Sequence, residues 1–499
     1  MSVTHLGIAV DANTEFEIVI GLEVHVQLAT DSKIFSSARA KLGEGQSVAN
    51  EGVNANTSPV DTGHPGTLPA LNHQAVNYAI MAGLATGCRI NRKSVFSRKH
   101  YFYPDSPKGY QISQYELPIC EQGFLDIEFG ADGEHTKRVG ITRIHMEEDA
   151  GKNVHLSGYS LVNLNRAGVP LIEVVSEPDM RSSAEAGAYL RKLYAIVTCL
   201  GVCQGNLQEG NFRCDANVSI RPKGSDKLGT RAEIKNVNSF RFVEKAIEFE
   251  AERQRTAILA GESVVQETRL YDSVKNQTFS MRSKEEAQDY RYFPDPDLPP
   301  LLIEEKVIEA IRSALPELPD QKRDRLVAAF GLSRYDAGLI TASKTLAAFF
   351  EEAVAMGDST SAKGIANLLI GEATRFLNDA NLDISQSKFA PVHFADLARL
   401  IADKTISITA AKQIIPLLNQ EGVNVDSLIE REGLKQVSDL SALEPMIEQI
   451  IAANPKQAED YRAGKDKLIG FFVGQAMKAS QGKANPGILQ ELVIKKLKG

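Results

Sequence analysis

The chain has 499 residues, 43% hydrophobic and 24% charged, with a formal net charge of −8, the proportions of an ordinary water-exposed globular protein of two to four domains. A net-negative chain has no general affinity for nucleic acid, so any RNA contact must come from local basic patches. No apolar run approaches the roughly 20 residues that span a bilayer, and the start lacks the basic-then-apolar pattern of a signal peptide; the cytoplasm is the expected location and no membrane partner is expected.

The first clear element is "IGLEVHVQL" (20–28), whose alternation predicts a strand. Leu22, Val24 and Val26 share one face, and Glu23, His25 and Gln27 share the other. "SRKHYFYPDSPKGYQISQY" follows, bringing Arg98, Lys99, Lys108 and several tyrosines. "GITRIHMEEDAGK" places Arg143, His145 and Glu147 on one face and ends in an acidic turn with Glu148 and Asp149. In "VPLIEVVSEPD" an apolar strand carries Glu173 at its centre. A carboxylate buried there is costly unless paired or bound to metal. The residues alone leave both open, with Arg143 or Arg166 as the partner in an ion pair.

A helix is predicted over "SSAEAGAYLRKLYAIVTCLG", opened by Ser182 or Ser183 and closed by Gly201. "NFRCDANVSIRP" alternates again, with Asn211, Arg213, Asp215, Asn217 and Ser219 on one face. "TRAEIKNV" puts Arg231, Glu233 and Lys235 together, and a second helix runs through "FRFVEKAIEFEAERQRTAILAG". Strands and helices mixed without regular βαβ alternation predict an α+β architecture. Prolines 294, 296, 299 and 300 in "YRYFPDPDLPPL" then break regular structure. Beyond them nearly everything reads as short amphipathic helix. From Arg462 to the end, eight Lys or Arg face two acids, a local balance of +6.

Several chemistries are excluded by spacing. There is no GxxxxGK[ST] loop for a nucleotide and no GxSxG elbow for a nucleophile. Five cysteines, an odd and sparse set, argue against a disulfide framework, and Cys199 and Cys203 read as buried thiols rather than a zinc site. What remains is a set of acids, amides and one imidazole at strand ends, accompanied by Arg and Lys. A hard divalent cation with basic side chains is the usual equipment for stabilising a transferring phosphoryl group.

Eight stretches together resemble one family, the B subunit of aspartyl/glutamyl-tRNA(Asn/Gln) amidotransferase. They are "EIVIGLEVHVQL", "RKHYFYPDSPKGYQISQYELPI", "HMEEDAGK", "LNRAGVPLIEVVSEPDMRS", "QEGNFRCDANVSIRP", "EIKNVNSFRFVEKAIEFE", "DYRYFPDPDLPP" and the tail "GKANPGILQELV". The resemblance implies a mixed-sheet cradle domain over 1–296, an all-α helical domain over 297–405 and a small α-helical tail domain over 406–499 that contacts tRNA. It implies a ligase reaction. The side-chain carboxylate of misacylated Glu-tRNA(Gln) or Asp-tRNA(Asn) is phosphorylated by ATP, then amidated with ammonia. The ammonia comes from an amidase-like A subunit, and a small C subunit completes a heterotrimer.

The same resemblance implies Mg²⁺ on His25, Glu148 and Glu173, with Glu23 beside them, and a catalytic part for Glu23, Glu147 and Glu148. Lys99, Arg213 and Lys235 are the candidates for ATP and its phosphates; Lys483, Asn485 and Lys495 are those for tRNA. Two departures stand out. Ser58 and Asp61 occupy a segment where many members carry cysteine pairs, so no zinc is expected. Asn163 stands where many members have Asp, and an amide binds a cation more weakly than a carboxylate.

Overall fold

The computed structural model describes residues 2–3, 9–11, 13–40, 52–130, 133–207, 209–237, 239–283, 289–357, 359–380, 382–420, 423–435, 440–480, 484 and 486–498. They form two compact units, Met1–Pro319 and Asp320–Gly499.

The first unit is built on a mixed sheet of twelve strands. Its long members are β1 (Phe16–Gln27), β2 (Phe96–His100), β3 (Tyr110–Gln114), β4 (Cys120–Phe129), β5 (His135–Glu148), β6 (Pro170–Ser176), β7 (Phe212–Pro222), β8 (Ala232–Val237), β9 (Glu267–Asp272) and β10 (Gln277–Ser283). The spatial order is β10-β9-β8-β7-β1-β6-β5-β3-β2, with the short strand Phe293–Pro294 added at the β2 edge and β4 running beside β5. Pairing is antiparallel except between β8 and β9, which run parallel.

The alternation seen in the sequence decides the two faces. Leu22, Val24 and Val26 of β1, Ile144 and Met146 of β5, Ile172 and Val174 of β6 and Ala216 and Val218 of β7 all turn to one side and are buried. Three helices cover that side: α1 (His73–Ala85), α2 (Ser183–Cys199) and α3 (Phe240–Leu259). Each has a side-chain N-cap, from Asn72, Ser182 and Ser239 respectively, which satisfies amides the first turn leaves unbonded. Leu190, Leu193, Ile196 and Val197 of α2 and Val243, Ala246 and Ile247 of α3 complete this core. Fully burying each large aliphatic side chain contributes about 1.5–3 kcal/mol, so the covered face carries the unit's stability. The opposite face of the same strands is mainly polar, with Val19, Leu171 and Val175 set among the polar side chains.

The first unit runs past the proline-rich stretch to Pro319. The short strand Leu301–Leu302 pairs with Lys93–Ser94, and Leu298, Ile303 and Ile308 join the core under the sheet. A boundary drawn at 296 would detach these side chains from the core they fill.

The second unit's named elements are all helical. One core gathers Leu326 through Leu400 with Ile406, Ile414, Ile415, Leu418, Val425 and Leu428, so its packing continues across position 405. A separate small core joins Leu443, Ile447, Phe472, Leu489, Leu492, Val493 and Leu497. A mixed sheet with helices on one face, followed by a helical region, makes the chain α+β. No described helix is long and apolar enough to cross a membrane.

Candidate active site on the open face of the sheet

Strand register sets four functional side chains in one row. Arg213 of β7 stands opposite His25 of β1, His25 opposite Glu173 of β6, and Glu173 opposite His145 of β5. Directly opposed residues of antiparallel strands share a face. Glu147, two residues beyond His145, shares it too. The result is a compact group: His25 Nε2 lies 3.3 Å from Glu173 Oε2 and 3.7 Å from Glu147 Oε1. On the other side, His145 Nε2 lies 3.5 Å from Glu173 Oε2 and 4.0 Å from Glu147 Oε2. Ser113 donates to Glu147 Oε2 at 3.2 Å. Glu147, Glu173 and His145 are buried, and His25 is partly open.

The electrostatics follow from that crowding. Burial pushes the His25 imidazole towards neutrality, but the bonded Glu173 and the charge of Glu147 outweigh it, and its pKa is raised. For His145 burial wins over the same two carboxylates, and its pKa is lowered. Burial also works against the Glu173 carboxylate, yet His145 and His25 hold its pKa well below the usual range. At the edge of the group, burial works against the Lys99 ammonium, but Glu147, Tyr292 and Glu173 keep it protonated.

The donor set suits a hard divalent cation. His25, Glu147 and Glu173 each turn one ligand atom inward, and those atoms all lie within 4.8 Å of one another. Two ligands at about 2.1 Å from one Mg²⁺ stand at most ~4.2 Å apart, so the 3.3 and 3.7 Å spacings from His25 fit a shared ion.

Glu148 is not in this group. Strand alternation turns it away from Glu147, where its Oε1 accepts from the Ile112 amide at 2.8 Å and from Lys108 Nζ. The "HMEE" pair closes strand β5 instead of forming a turn. His145 is the group's member that sequence reasoning does not single out. Its signal lies in the spacing Arg143, His145, Glu147.

Glu23 sits one row further along, opposite Asp215, with its Oε1 accepting from Asn217 Nδ2 at 3.0 Å. Burial, followed by Glu173, Glu233 and Asp215, raises its pKa. Lys235 Nζ pairs with Asp215 Oδ2 at 2.9 Å and Glu233 Oε1 at 3.0 Å. Arg213 reaches both oxygens of Asp149 at 3.2 Å, and Asp149 also meets Arg166 Nε at 3.4 Å. The Nε of Arg213 is buried with no hydrogen-bond partner, a donor available to a ligand. A cavity of about 650 Å³ lies beside Glu23, lined by Gly21 of β1, Ser176 at the end of β6, Asn217 and Ser219 of β7, and Leu228 and Arg231 of the loop before β8.

The remaining predicted residues lie elsewhere. Asn163 Oδ1 accepts from the Asn165 amide at 2.9 Å, the geometry of an Asx turn. Asp61 forms an ion pair with Lys33 at 3.1 Å, in a pocket where Lys33 has no exposed surface. All five cysteines are free thiols. Lys495 is exposed on the helix Pro486–Lys498, while Lys483 and Asn485 lie outside the described residues.

A covered sheet with this polar open face is the catalytic half of one protein class. Residues 18–309 match the family described as the GatB/GatE catalytic domain, and residues 348–497 match the one described as the GatB domain. A relative from Alkalilimnicola ehrlichii is 56% identical across 97% of this chain and 99% of its own length. One from Geobacter sulfurreducens is 55% identical across 97% of this chain and 100% of its own. One from Halorhodospira halophila is 54% identical over the same shares. All three are named as the B subunit of an aspartyl/glutamyl-tRNA(Asn/Gln) amidotransferase. The chain belongs to this family of amidotransferase B subunits, whose enzymes are ligases.

Proposed function

We propose that the open face of the sheet activates a carboxylate carried on tRNA. In this reading ATP phosphorylates the side-chain carboxylate of glutamate on tRNA(Gln), or of aspartate on tRNA(Asn). Ammonia then displaces the phosphate, giving the amide used in translation. The observation that carries the reading is the convergence of His25, Glu147 and Glu173 beside a protonated Lys99. A carboxylate resists attack because its oxygen leaves poorly, and phosphorylation supplies a leaving group.

His25, Glu147 and Glu173 would hold Mg²⁺, with His145 behind them. Bound there, the ion would neutralise charge on the transferring phosphoryl group. Lys99 adds a fixed positive charge at the edge of the group. Arg213, braced by Asp149, offers its free Nε to a phosphate oxygen. The cavity beside Glu23 falls within the roughly 300–1,000 Å³ of small-ligand sites and suits the rest of the nucleotide. Glu23, with its raised pKa, is placed to take the proton that ammonia sheds as the amide forms. Lys235 is held by Asp215 and Glu233 at the cavity's flank and contributes charge there. Glu148 acts by fixing Lys108 and the Ile112 amide.

An acyl phosphate hydrolyses readily, so ammonia must arrive by a protected route. That requires an amidase-like A subunit as its source and a small C subunit joining the two. The basic tail, with Lys495 exposed, is the surface proposed for tRNA phosphates.

The test is Glu173→Gln in the reconstituted complex. ATP cleavage that depends on misacylated tRNA should fall by about 10²–10³-fold while tRNA binding and glutaminase activity persist. Retention of that ATP cleavage would remove the reading. ATP hydrolysis by the isolated chain without tRNA would instead favour a simple phosphohydrolase.

A further inference from the structure

At the β2–β3 edge of the sheet stands a group of aromatic side chains that the chemistry above does not use. Tyr115, just beyond β3, and Tyr292, ahead of the strand Phe293–Pro294, lie parallel with ring centroids 4.3 Å apart and planes 8° from each other. Tyr290 meets Tyr292 edge to face at 6.1 Å. Lys99 Nζ sits 5.1 Å over the Tyr290 ring. Beside this stack His100 lies on Phe293 at 4.9 Å, with the Arg98 guanidinium 5.9 Å from the Phe293 ring. Tyr115 is 48% exposed and Phe293 45%.

Aromatic faces left in water beside cations match what single-stranded nucleic acid recognises. Bases stack on the rings, and the cations meet both the ring faces and the phosphates. The location narrows the partner further. Ser113, two residues before Tyr115, bonds Glu147 at 3.2 Å. Lys99 belongs to both places, over Tyr290 and beside Glu147 and Glu173. An amino acid on tRNA is esterified to the last ribose of an unpaired 3′ end. If its side chain reacts at Glu147 and Glu173, the last bases must lie within a few bonds of that point. The cavity by Glu23 is lined from β1, the end of β6, β7 and the loop before β8, with no residue of β2 or β3, so it does not compete for the β2–β3 edge.

We infer that Tyr115, Tyr292 and Tyr290 form a stacking platform for the unpaired 3′-terminal bases of the aminoacylated tRNA, with Lys99 joining the platform to the reacting group. This rests on the reading of the Glu147–Glu173 site as the place where the tRNA-borne carboxylate reacts. The parallel Tyr115–Tyr292 pair presents one outer ring face, and a terminal base extends the stack.

The experiment uses the reconstituted complex with tRNA carrying 2-aminopurine in its 3′ single-stranded end, together with steady-state amidation kinetics. The wild type should quench the fluorophore on binding. Tyr115→Ala and Tyr115→Leu should abolish the quench and raise the tRNA KM about 5- to 150-fold, the equivalent of ~1–3 kcal/mol for one stacked base. Tyr115→Phe should restore both, and the KM for ATP should not move. The leucine variant keeps an apolar side chain against Tyr292, so its thermal melt separates lost stacking from lost folding. Unchanged quench and tRNA KM in a folded Tyr115→Leu complex would overturn the inference. So would a raised ATP KM with the tRNA KM unchanged, which would give the platform to the nucleotide's base. A wild-type complex that fails to amidate tRNA would instead overturn the reading of the reacting site, so the two failures are separable.

Discussion

Two of the places where the first unit buries carboxylates are built oppositely. On α3, Glu250 is fully buried and meets a complete set of donors. Arg253 reaches it at 2.6 and 3.0 Å, Gln254 at 2.9 Å, Thr278 at 3.0 Å and Arg269 at 3.2 Å. Two guanidiniums balance its charge permanently. On the open face, Glu147 and Glu173 have imidazoles for neighbours, whose charge depends on a proton, at 3.3–4.0 Å. The first cluster closes on itself. The second, in the reading proposed above, takes a cation from outside. Burial of a carboxylate alone therefore does not mark a functional site; what separates the two clusters is permanent guanidinium charge in one and titratable imidazoles in the other.

The largest effect should come from breaking the closed cluster. Glu250→Ala leaves Arg253 and Arg269 short of their counter-charge in a buried setting, a loss of roughly 3–5 kcal/mol. Chemical denaturation of the variant should show it directly, while activity per folded molecule stays near that of the wild type. A Glu250→Ala protein of wild-type stability would erase the distinction between the clusters.

Next comes the open cluster, where the pattern should invert. Glu173→Gln should reduce tRNA-dependent ATP cleavage by about 10²–10³-fold, the range for removing one electrostatic stabiliser of a transition state. Its melting temperature without metal should fall at neutral pH, because His145 and His25 stabilise the Glu173 carboxylate in the folded state and the amide removes that charge. Added Mg²⁺ should raise the melting temperature of the wild type and leave that of Glu173→Gln in place. Equal Mg²⁺ responses in the two proteins would mean that Glu173 is not a ligand.

Part of this contrast is legible in the sequence. Period-two spacing alone puts Glu23, His25 and Gln27 on one face, and Arg143, His145 and Glu147 on one face. What spacing cannot give is register. The row Arg213, His25, Glu173, His145 depends on four strands brought together from across some 190 residues, and nothing local encodes which residues stand opposite. His145 escapes a sequence reading for that reason. Glu148 looks as good a ligand as Glu147 because the acidic run reads as a turn, where alternation does not discriminate; as the end of β5 it does. The proline-rich stretch reads as a breaker, and it also adds Phe293–Pro294 to the sheet edge, since an edge strand tolerates proline. The Lys33–Asp61 pair is invisible in the sequence because its members are 28 residues apart in the irregular connection between β1 and α1.

The helical region offers a smaller effect that tests whether recognition of tRNA is shared. Cutting the chain after 405 would strip Ile406, Ile414, Ile415 and Leu418 from the larger helical core and report only unfolding. Removing residues 440–499 takes away the small core whole. That deletion should raise the tRNA KM roughly tenfold for each charge-assisted hydrogen bond to phosphate that it removes, and leave the ATP KM unchanged. Within the tail, Lys496 already pairs with Glu444 at 3.2 Å and Glu448 at 2.6 Å. Lys495→Ala should therefore weaken tRNA binding more than Lys496→Ala does.

The smallest effect returns to the closed cluster and gives it a pH signature. Glu267 meets Arg269 Nη1 within that network. Burial works against its carboxylate, but hydrogen bonds from Ser280 and Arg269 and the charges of Arg269 and Arg253 win, and its pKa falls below the ordinary 4.5. A carboxylate depressed in the folded state contributes stability that is complete above its unfolded value and is lost as pH falls through its folded one. The acid limb of the wild-type stability curve, below about pH 4.5, should thus be steeper than that of Glu267→Gln, with the two curves parallel near neutrality. The open cluster should leave no such mark in Glu267→Gln, since its tRNA and ATP kinetics at neutral pH do not pass through this network. A changed kcat in that variant would mean that the two clusters are coupled through the sheet, and that the closed one also serves the reaction.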